Sequence, residues 1–339
     1  MEPTEALDVA ALAAEQVRGT TSPNPPVGAV ILDAAGQLVG TGATRPPGGA
    51  HAEIVALAEA GGRARGGTAV VTLEPCNHTG RTGPCTRALL EAGIVRVVYA
   101  VPDPFPQAAG GGRWLSDRGV DTLCLGIEVP ALRPWLRATR LGRPHVTWKF
   151  AATMDGYSAA GDGGSRWITG PRARAAVHLD RSRRDAIMIG SGTALQDDPA
   201  LTARAEDGLY AHQPRRVVIG GRTIPADSQL GRLGFEQYAG IDQALAALWD
   251  SGARDVLVEG GPTLAAAFLD AGLVDAVQAY LAPALLGTGR PVLDGDTAGT
   301  GVTTMADIRR FDTRDVQRLG PDVLIEMVRP TNEQQDEGM

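Results

Sequence analysis

His51-Ala52-Glu53, Glu74-Pro75-Cys76 and Gly83-Pro84-Cys85 punctuate the stretch from Ala50 to Cys85, and the reading of that stretch decides the architecture around it. One imidazole and two thiolates suit a borderline-soft ion such as zinc. Each cluster is expected to open a helix, where free backbone N–H groups and the helix dipole favour thiolate over thiol. With His51, Cys76 and Cys85 as the protein ligands, a fourth tetrahedral position is left for water, the arrangement of a catalytic site. Glu53 follows His51 by two residues in the first helical turn and can enter the same pocket without being a ligand. A proton-shuttling carboxylate beside zinc is the equipment for hydrolysing a C–NH2 group on a heterocycle.

The competing reading is a closed structural zinc site with His78 as fourth ligand, which gives Glu53 no purpose. The generic deaminase pattern ends Pro-Cys-x-x-Cys, whereas eight residues, Asn77 to Pro84, separate the cysteines here. That longer loop narrows the family.

Outward from this stretch, Thr4 is expected to cap a helix that ends near Gly19. The strands Val27–Leu32 and Leu38–Gly42 form a hairpin around Asp33-Ala34-Ala35-Gly36. A helix over about 50–60, a strand over 68–73, a helix over 85–92, a strand over 95–100, then a last helix and a strand around Leu123 complete a sheet layered with helices. Leu141-Gly142-Arg143-Pro144 connects to a second strand-led unit that starts at His145. Its expected elements are helices over 171–183, 241–250 and 262–269 and strands over 186–189, 216–219, 256–258, 277–281 and 323–328. The boundaries are therefore 1–143 and 144–330, with 331–339 a polar, mobile tail.

No Gly-x-Gly-x-x-Gly fingerprint occurs in the second unit, so a standard Rossmann reading fails. Gly190-Ser191-Gly192-Thr193 and Glu259-Gly260-Gly261-Pro262-Thr263 each follow an apolar strand, and two such turns at adjacent strand ends suggest a dinucleotide. Arg222, after the strand Val217-Val218-Ile219 and the pair Gly220-Gly221, is a candidate for the NADPH 2′-phosphate, against the plainer reading of a solvated turn arginine.

The chain of 339 residues is long enough for two cores, and its net charge of −7 gives no basic field for nucleic acid. A small substrate is the better expectation. Cys124, in Leu123-Cys124-Leu125, reads as a core residue, and the cysteine usage suits a reducing cytoplasm. No signal peptide and no membrane-spanning run are visible. Lys149 is the only lysine among 32 basic residues. It is either a survivor of arginine bias or a place where a compact ammonium is needed.

Over essentially its whole length the chain resembles the bifunctional riboflavin-biosynthesis deaminase/reductases. In the first half the motifs are Asn24-Pro25-Pro26-Val27-Gly28, His51-Ala52-Glu53 and the run from Glu74 to Cys85, inter-cysteine loop included. In the second they are Lys149, Met154-Asp155-Gly156, Ser165 to Thr169, Gly192 to Thr202 and Glu259 to Leu264. The resemblance implies an α/β chain: a cytidine-deaminase-like three-layer α/β/α domain, then a dihydrofolate-reductase-like α/β domain. It implies zinc on His51, Cys76 and Cys85, Glu53 as proton donor and acceptor, and NADPH as reductant. The implied substrate is 2,5-diamino-6-ribosylamino-4(3H)-pyrimidinone 5′-phosphate, deaminated at C2 and then reduced from ribosyl to ribityl.

By the same resemblance Ala151, Trp167, Thr193, Asp197 and the segment Gly261, Pro262, Thr263, Leu264, Ala265, Ala266, Ala267 contact the cofactor. Ser165, Arg181, Leu201, Arg204 and Glu259 fall at substrate positions, with Arg181 and Arg204 natural partners for the 5′-phosphate; Asn24, His78, Arg81 and Lys149 are further substrate-binding candidates. The chain departs from the family at Phe105 in Asp103-Pro104-Phe105-Pro106 and at Gly111, where an arginine is expected. Tyr157 and Gln196 stand for the commoner arginine and alanine. Two other classes compete: a deaminase of another base or nucleoside fused to a reductase-like domain, and a non-catalytic zinc and nucleotide binder. Homo-oligomerisation is left open.

Overall fold

The structure, a computed structural model, describes residues 1–78, 83–293 and 301–330. It divides into two units, Met1–Pro144 and His145–Met339. The first contains α1 (Pro3–Gln16), β1 (Gly28–Leu32), β2 (Leu38–Ala43), α2 (Ala52–Ala60), β3 (Thr68–Leu73), α3 (Cys85–Glu91), β4 (Arg96–Val101), α4 (Gly111–Ser116), β5 (Asp121–Cys124) and α5 (Arg133–Leu141). Its sheet has the order β2-β1-β3-β4-β5. β1 runs antiparallel to β2 and β3, while β3, β4 and β5 are parallel.

Every residue of β1 is buried, so both faces of the sheet are covered there. Gly28 pairs with Ala43 and Ala29 with Gly42, which puts the two glycines on opposite faces because strand residues alternate. A Cβ at Gly28 would stand 1.8 Å from the Ala10 carbonyl oxygen of α1, and one at Gly42 2.2 Å from the Ala52 oxygen of α2. α1 and α2 therefore lie on opposite faces, closer than any side chain permits. α3 packs beside α2 and α4 beside α3, which extends one of the two helical layers.

Three local expectations are corrected. α1 begins at Pro3 with Glu2 as its cap, not Thr4, and the Glu5 carboxylate accepts the Glu2 N–H at 3.2 Å; the helix stops at Gln16, before Gly19. Cys124 is exposed, because β5 is the edge of the sheet and is open to solvent along most of its length. α5 was not anticipated: its arginines dominate the composition, yet Pro134, Trp135, Leu136 and Ala138 are buried, and Trp135 Nε1 donates to the Pro23 oxygen at 2.9 Å.

The second unit contains β6 (His145–Thr153), β7 (Tyr157–Ala159), α6 (Pro171–Arg181), β8 (Ala186–Gly190), α7 (Ser191–Asp197), β9 (Arg204–Ala205), β10 (Gly208–Leu209), β11 (Arg215–Ile219), α8 (Gln229–Leu233), β12 (Glu236–Tyr238), α9 (Ile241–Asp250), β13 (Asp255–Val258), α10 (Pro262–Asp270), β14 (Ala276–Ala282), β15 (Arg290–Pro291), β16 (Asp312–Leu319) and β17 (Asp322–Val328). The main sheet has the order β12-β11-β8-β13-β6-β14-β17-β16. It is parallel from β12 to β14 and antiparallel beyond.

Alternation along the central strands divides its interior into two cores. Met188, Val217, Val256 and Val258 pack with α9 and α10 residues such as Leu248 and Phe268. Ile187, Ile189, Val218 and Leu257 pack on the other face with Ala194 of α7 and Leu230 of α8. β16 was missed from sequence because it is a largely exposed edge strand of mostly polar residues, with no period-two apolar signal to read. The expected tail, 331–339, lies outside the described residues.

Gly42→Ala is expected to destabilise the first unit by about 1–3 kcal/mol, because the added methyl meets helix backbone and not a flexible side chain. α2 must shift, and with it His51 at its start, so urea unfolding should show a lower midpoint and zinc titration a weaker affinity. An unchanged midpoint would rule out so close a contact between β2 and α2.

Candidate active sites

In the first unit, His51 immediately precedes α2 in extended conformation and Cys85 is the first residue of α3. Cys76 does not open a helix, contrary to expectation; it lies in the segment after β3. Its sulfur accepts the Cys85 N–H, the first amide of α3, at 3.4 Å, so a helix terminus still faces this sulfur. His51 Nδ1 stands 3.5 Å from Cys76 Sγ and 3.3 Å from Cys85 Sγ. One ligand atom from each residue lies within 4.8 Å of the other two. Two sulfurs and a nitrogen bound tetrahedrally to one zinc stand about 3.5–3.8 Å apart, so the donor set fits the ion in kind and in spacing. Among the described residues His78 is not part of this group; it is exposed.

The electrostatics suit a cation and a proton carrier. A hydrogen bond from the Cys85 thiol, opposed by burial and aided by His51, lowers the Cys76 thiol to about 4. The same hydrogen bond pushes Cys85 up, with burial adding to it; a dication removes the reason for that second thiol to keep its proton. Hydrogen bonding to Cys76 raises His51 against the opposing effect of burial. Glu53 is buried, and desolvation pushes its carboxyl up to about 7. Its carboxyl hydrogen-bonds at Cys85, beside the three ligand atoms.

Glu74 holds the wall behind Cys76. Its buried carboxylate accepts the N–H of Asp103 at 3.2 Å and of Gly112 at 2.9 Å. α4 approaches so closely that a Cβ at Gly111 would stand 1.9 Å from the Pro75 oxygen. That contact accounts for glycine where an arginine was expected, since no side chain fits there without moving backbone. Gly111 and Gly112 belong to α4 itself and do not precede it. Phe105 is 46 % exposed. Asn24 is half-buried in the loop before β1. Arg81 falls outside the described residues.

The second unit contains a cavity of about 850 Å³. Its walls bring together Lys149 and Ala151 of β6, Ser165 and Trp167 of the loop between β7 and α6, Arg181 of α6 and Arg204 of β9. The Glu259 carboxylate receives Arg181 Nε at 2.7 Å and Nη2 at 2.8 Å, and stands 3.3 Å from Lys149 Nζ. Burial opposes its ionisation, but the Arg181 guanidinium and the Lys149 ammonium outweigh that and hold it well below the usual carboxylate range. Arg181 Nη1 donates to the Thr202 oxygen at 3.0 Å. Arg181 thus has Nε, Nη1 and Nη2 all engaged within the chain, whereas Arg204 is exposed.

The remaining cofactor and substrate candidates divide. Thr193 Oγ1 accepts the Gly261 N–H at 3.3 Å across the neighbouring ends of β8 and β13. Ala265 and Ala266 are buried, so a ligand at α10 meets its first turn and not these side chains. The Leu201 side chain is likewise buried in a core cluster, and Asp197 is exposed in the last turn of α7. Sequence reasoning missed Arg174 and His178, which line the cavity with Arg181. Their i, i+4, i+7 spacing on α6 was a readable signal of one polar helix face. Arg174 stacks on Trp167, 4.4 Å from the ring centroid. Burial and the charges of Arg181 and Arg204 lower His178 to about 4, which keeps it neutral at physiological pH.

Comparison with known proteins gives the same two parts. A family model for the cytidine and deoxycytidylate deaminase zinc-binding region matches residues 1–101, and one for the RibD C-terminal domain matches residues 144–325. The riboflavin biosynthesis protein RibD of Corynebacterium ammoniagenes is 61 % identical over 297 residues, 85 % of this chain and 88 % of that protein. That of Mycobacterium tuberculosis H37Rv is 48 % identical over 333 residues, 96 % of each chain. The solved structure of Acinetobacter baumannii RibD, form 1, superposes with a TM-score of 0.83 at 33 % identity, covering 97 % of this chain and 99 % of that one. A Thermotoga maritima diaminohydroxyphosphoribosylaminopyrimidine deaminase/5-amino-6-(5-phosphoribosylamino)uracil reductase also gives 0.83, at 28 % identity and the same coverage. The chain belongs to the RibD family of riboflavin biosynthesis proteins.

Proposed function

We propose that the chain catalyses two successive steps of riboflavin biosynthesis, with one site in each unit. The first hydrolyses the C2 amino group of 2,5-diamino-6-ribosylamino-4(3H)-pyrimidinone 5′-phosphate. The second reduces the ribosyl group of that product to ribityl. The observation that carries this reading is the convergence of His51 Nδ1, Cys76 Sγ and Cys85 Sγ beside the buried carboxyl of Glu53.

Zinc held by those three ligands would supply the Lewis acidity that makes water a nucleophile at neutral pH. Glu53 takes the proton from that water as it attacks C2 and returns a proton to the departing amine, so that ammonia leaves and a ring carbonyl remains. Burial raises the Glu53 carboxyl and a bound dication would draw it down again, opposing influences that suit a group which both takes and returns the proton. In the second unit NADPH, held at Ala151, Thr193 and Gly261, would supply the hydride for C1′ of the opened sugar imine. To Lys149 we assign the polarisation of that imine, with its ammonium oriented by Glu259, and to Arg181 the orientation of Glu259. Arg204 is the better candidate for the substrate phosphate, because Arg181 is already paired.

Cys76→Ser is expected to lose zinc and ammonia release together; full metal occupancy in the purified variant would mean a wrong ligand set. Glu53→Gln keeps shape and hydrogen bonding but not the basic carboxylate. It should retain zinc while ammonia release falls by about 10²-fold or more. NADPH oxidation by the same variant should persist on the deaminated aminouracil and vanish on the diamino precursor alone, and near-normal ammonia release would remove Glu53 from the role.

Lys149→Arg should cut the turnover of aminouracil reduction strongly while leaving NADPH affinity and thermal unfolding little changed, because the wide guanidinium cannot take the ammonium's position over Glu259. Wild-type turnover in that variant would return Lys149 to arginine bias.

A further inference from the structure

The strand order β11-β8-β13-β6 lays four carboxyl ends side by side. At β6 stands Ala151, at β13 the pair Gly260-Gly261, at β8 the turn Gly190 to Thr193, and at β11 the turn Gly220-Gly221-Arg222. Three strand spacings, about 14 Å, separate the first from the last, a span suited to an extended dinucleotide lying across strand ends. Beyond β11 lies a second cavity, of about 350 Å³, lined by Gly220, Gly221, Arg222, Ile224, Phe235 and Tyr238 among others.

The turn that carries Arg222 is fixed on both sides. From β12, Gln237 Nε2 donates to the Gly220 oxygen at 2.6 Å and to the Arg222 oxygen at 2.8 Å. Gly220 has φ +121°, and a Cβ there would stand 2.5 Å from Ser191 Oγ, so the chain passes this close to Ser191 only as glycine. The guanidinium reaches back to the start of α7: both its Nη atoms lie 3.9 Å from where a Cβ on Gly192 would be. Among the described residues no carboxylate forms an ion pair with Arg222. An exposed cation, anchored at its backbone but unpaired at its charge, therefore borders a cavity at the far end of the row.

We propose that Arg222 binds the 2′-phosphate of NADPH and sets the choice of NADPH over NADH. This rests on the reading of the second unit as an NADPH-dependent reductase. The nicotinamide end would lie toward Ala151 and Trp167, the pyrophosphate at Gly260-Gly261, and the adenosine ribose against the cavity of Gly221 and Arg222. NADH lacks the phosphate and offers Arg222 nothing to hold, so the residue acts on the difference between the cofactors and not on their shared part.

The test is binding, measured by calorimetry on the full-length protein without substrate. Arg222→Ala should weaken NADPH by about ten- to a hundredfold, the loss of one charge-assisted phosphate contact, and leave NADH within about twofold. Arg222→Lys, which keeps a point charge, should recover part of the NADPH affinity. The wild-type affinity for NADPH, and for 2′,5′-ADP as a fragment carrying that phosphate, should fall as salt rises, and the Ala variant should lose most of that dependence. Equal weakening of NADPH and NADH, or no change in either, overturns the assignment of Arg222 while leaving the reductase reading intact. Absence of NADPH binding by the wild-type protein instead overturns the reductase reading, and the assignment with it.

Discussion

A carboxylate cannot be taken out of water without a partner, and each site of this chain is built on a buried glutamate that meets that constraint differently. Glu53 has no net counter-charge in its surroundings: burial and the Cys76 charge push its carboxyl up, and His51 offsets only part of that. Glu259 has two cations and stays ionised. The first arrangement produces a group that exchanges protons, and the second a fixed anion that orients the cations around it. Glu74 is a third solution, held by backbone amides of the Asp103 loop and α4. It serves as the joint between the Cys76 segment and its neighbours.

Close backbone packing is the second device the two units share. In the first, Gly28, Gly42 and Gly111 let α1, α2 and α4 approach strand or loop backbone at distances closed to any Cβ, and two of those helices border the segments that carry His51 and Cys76. In the second, Gly220, at φ +121°, passes against the Ser191 side chain. These contacts make the helix starts rigid with respect to the strands, which is what a ligand set needs if its donor atoms are to stay within an ion's reach.

The reductase unit gathers its polar groups by topology. Parallel strands end on one edge, so residues far apart in sequence, such as Lys149 and Glu259, come within hydrogen-bonding range. Arg181 reaches the same carboxylate from α6. The result is a triad of net charge +1 in the wall of a cavity, with His178 kept neutral beside it. A neutral imidazole adds hydrogen-bonding capacity without adding to the positive charge, which leaves Arg174 and Arg204 as cations of the cavity wall with no carboxylate partner among the described residues.

Much of this was determined by the sequence alone. The order of elements, the hairpin from β1 to β2, the metal-type triplet around Glu53 and the glycine turns at two strand ends follow from local spacing, because alternation and ligand motifs are short-range properties; the family came from the resemblance of its motifs. Tertiary structure decided what depends on partners distant in the chain. It committed Arg181 to Glu259, which no spacing between positions 181 and 259 reveals. It exposed Cys124 by putting β5 at a sheet edge, and it buried a face of the arginine-rich α5. It gave Cys76 the first amide of α3 in place of a helix of its own, and it accounted for Gly111 through the Pro75 oxygen. The physical reason is the same in each case: burial and charge pairing are set by whatever lies across the gap, and the chain reaches across it only when folded.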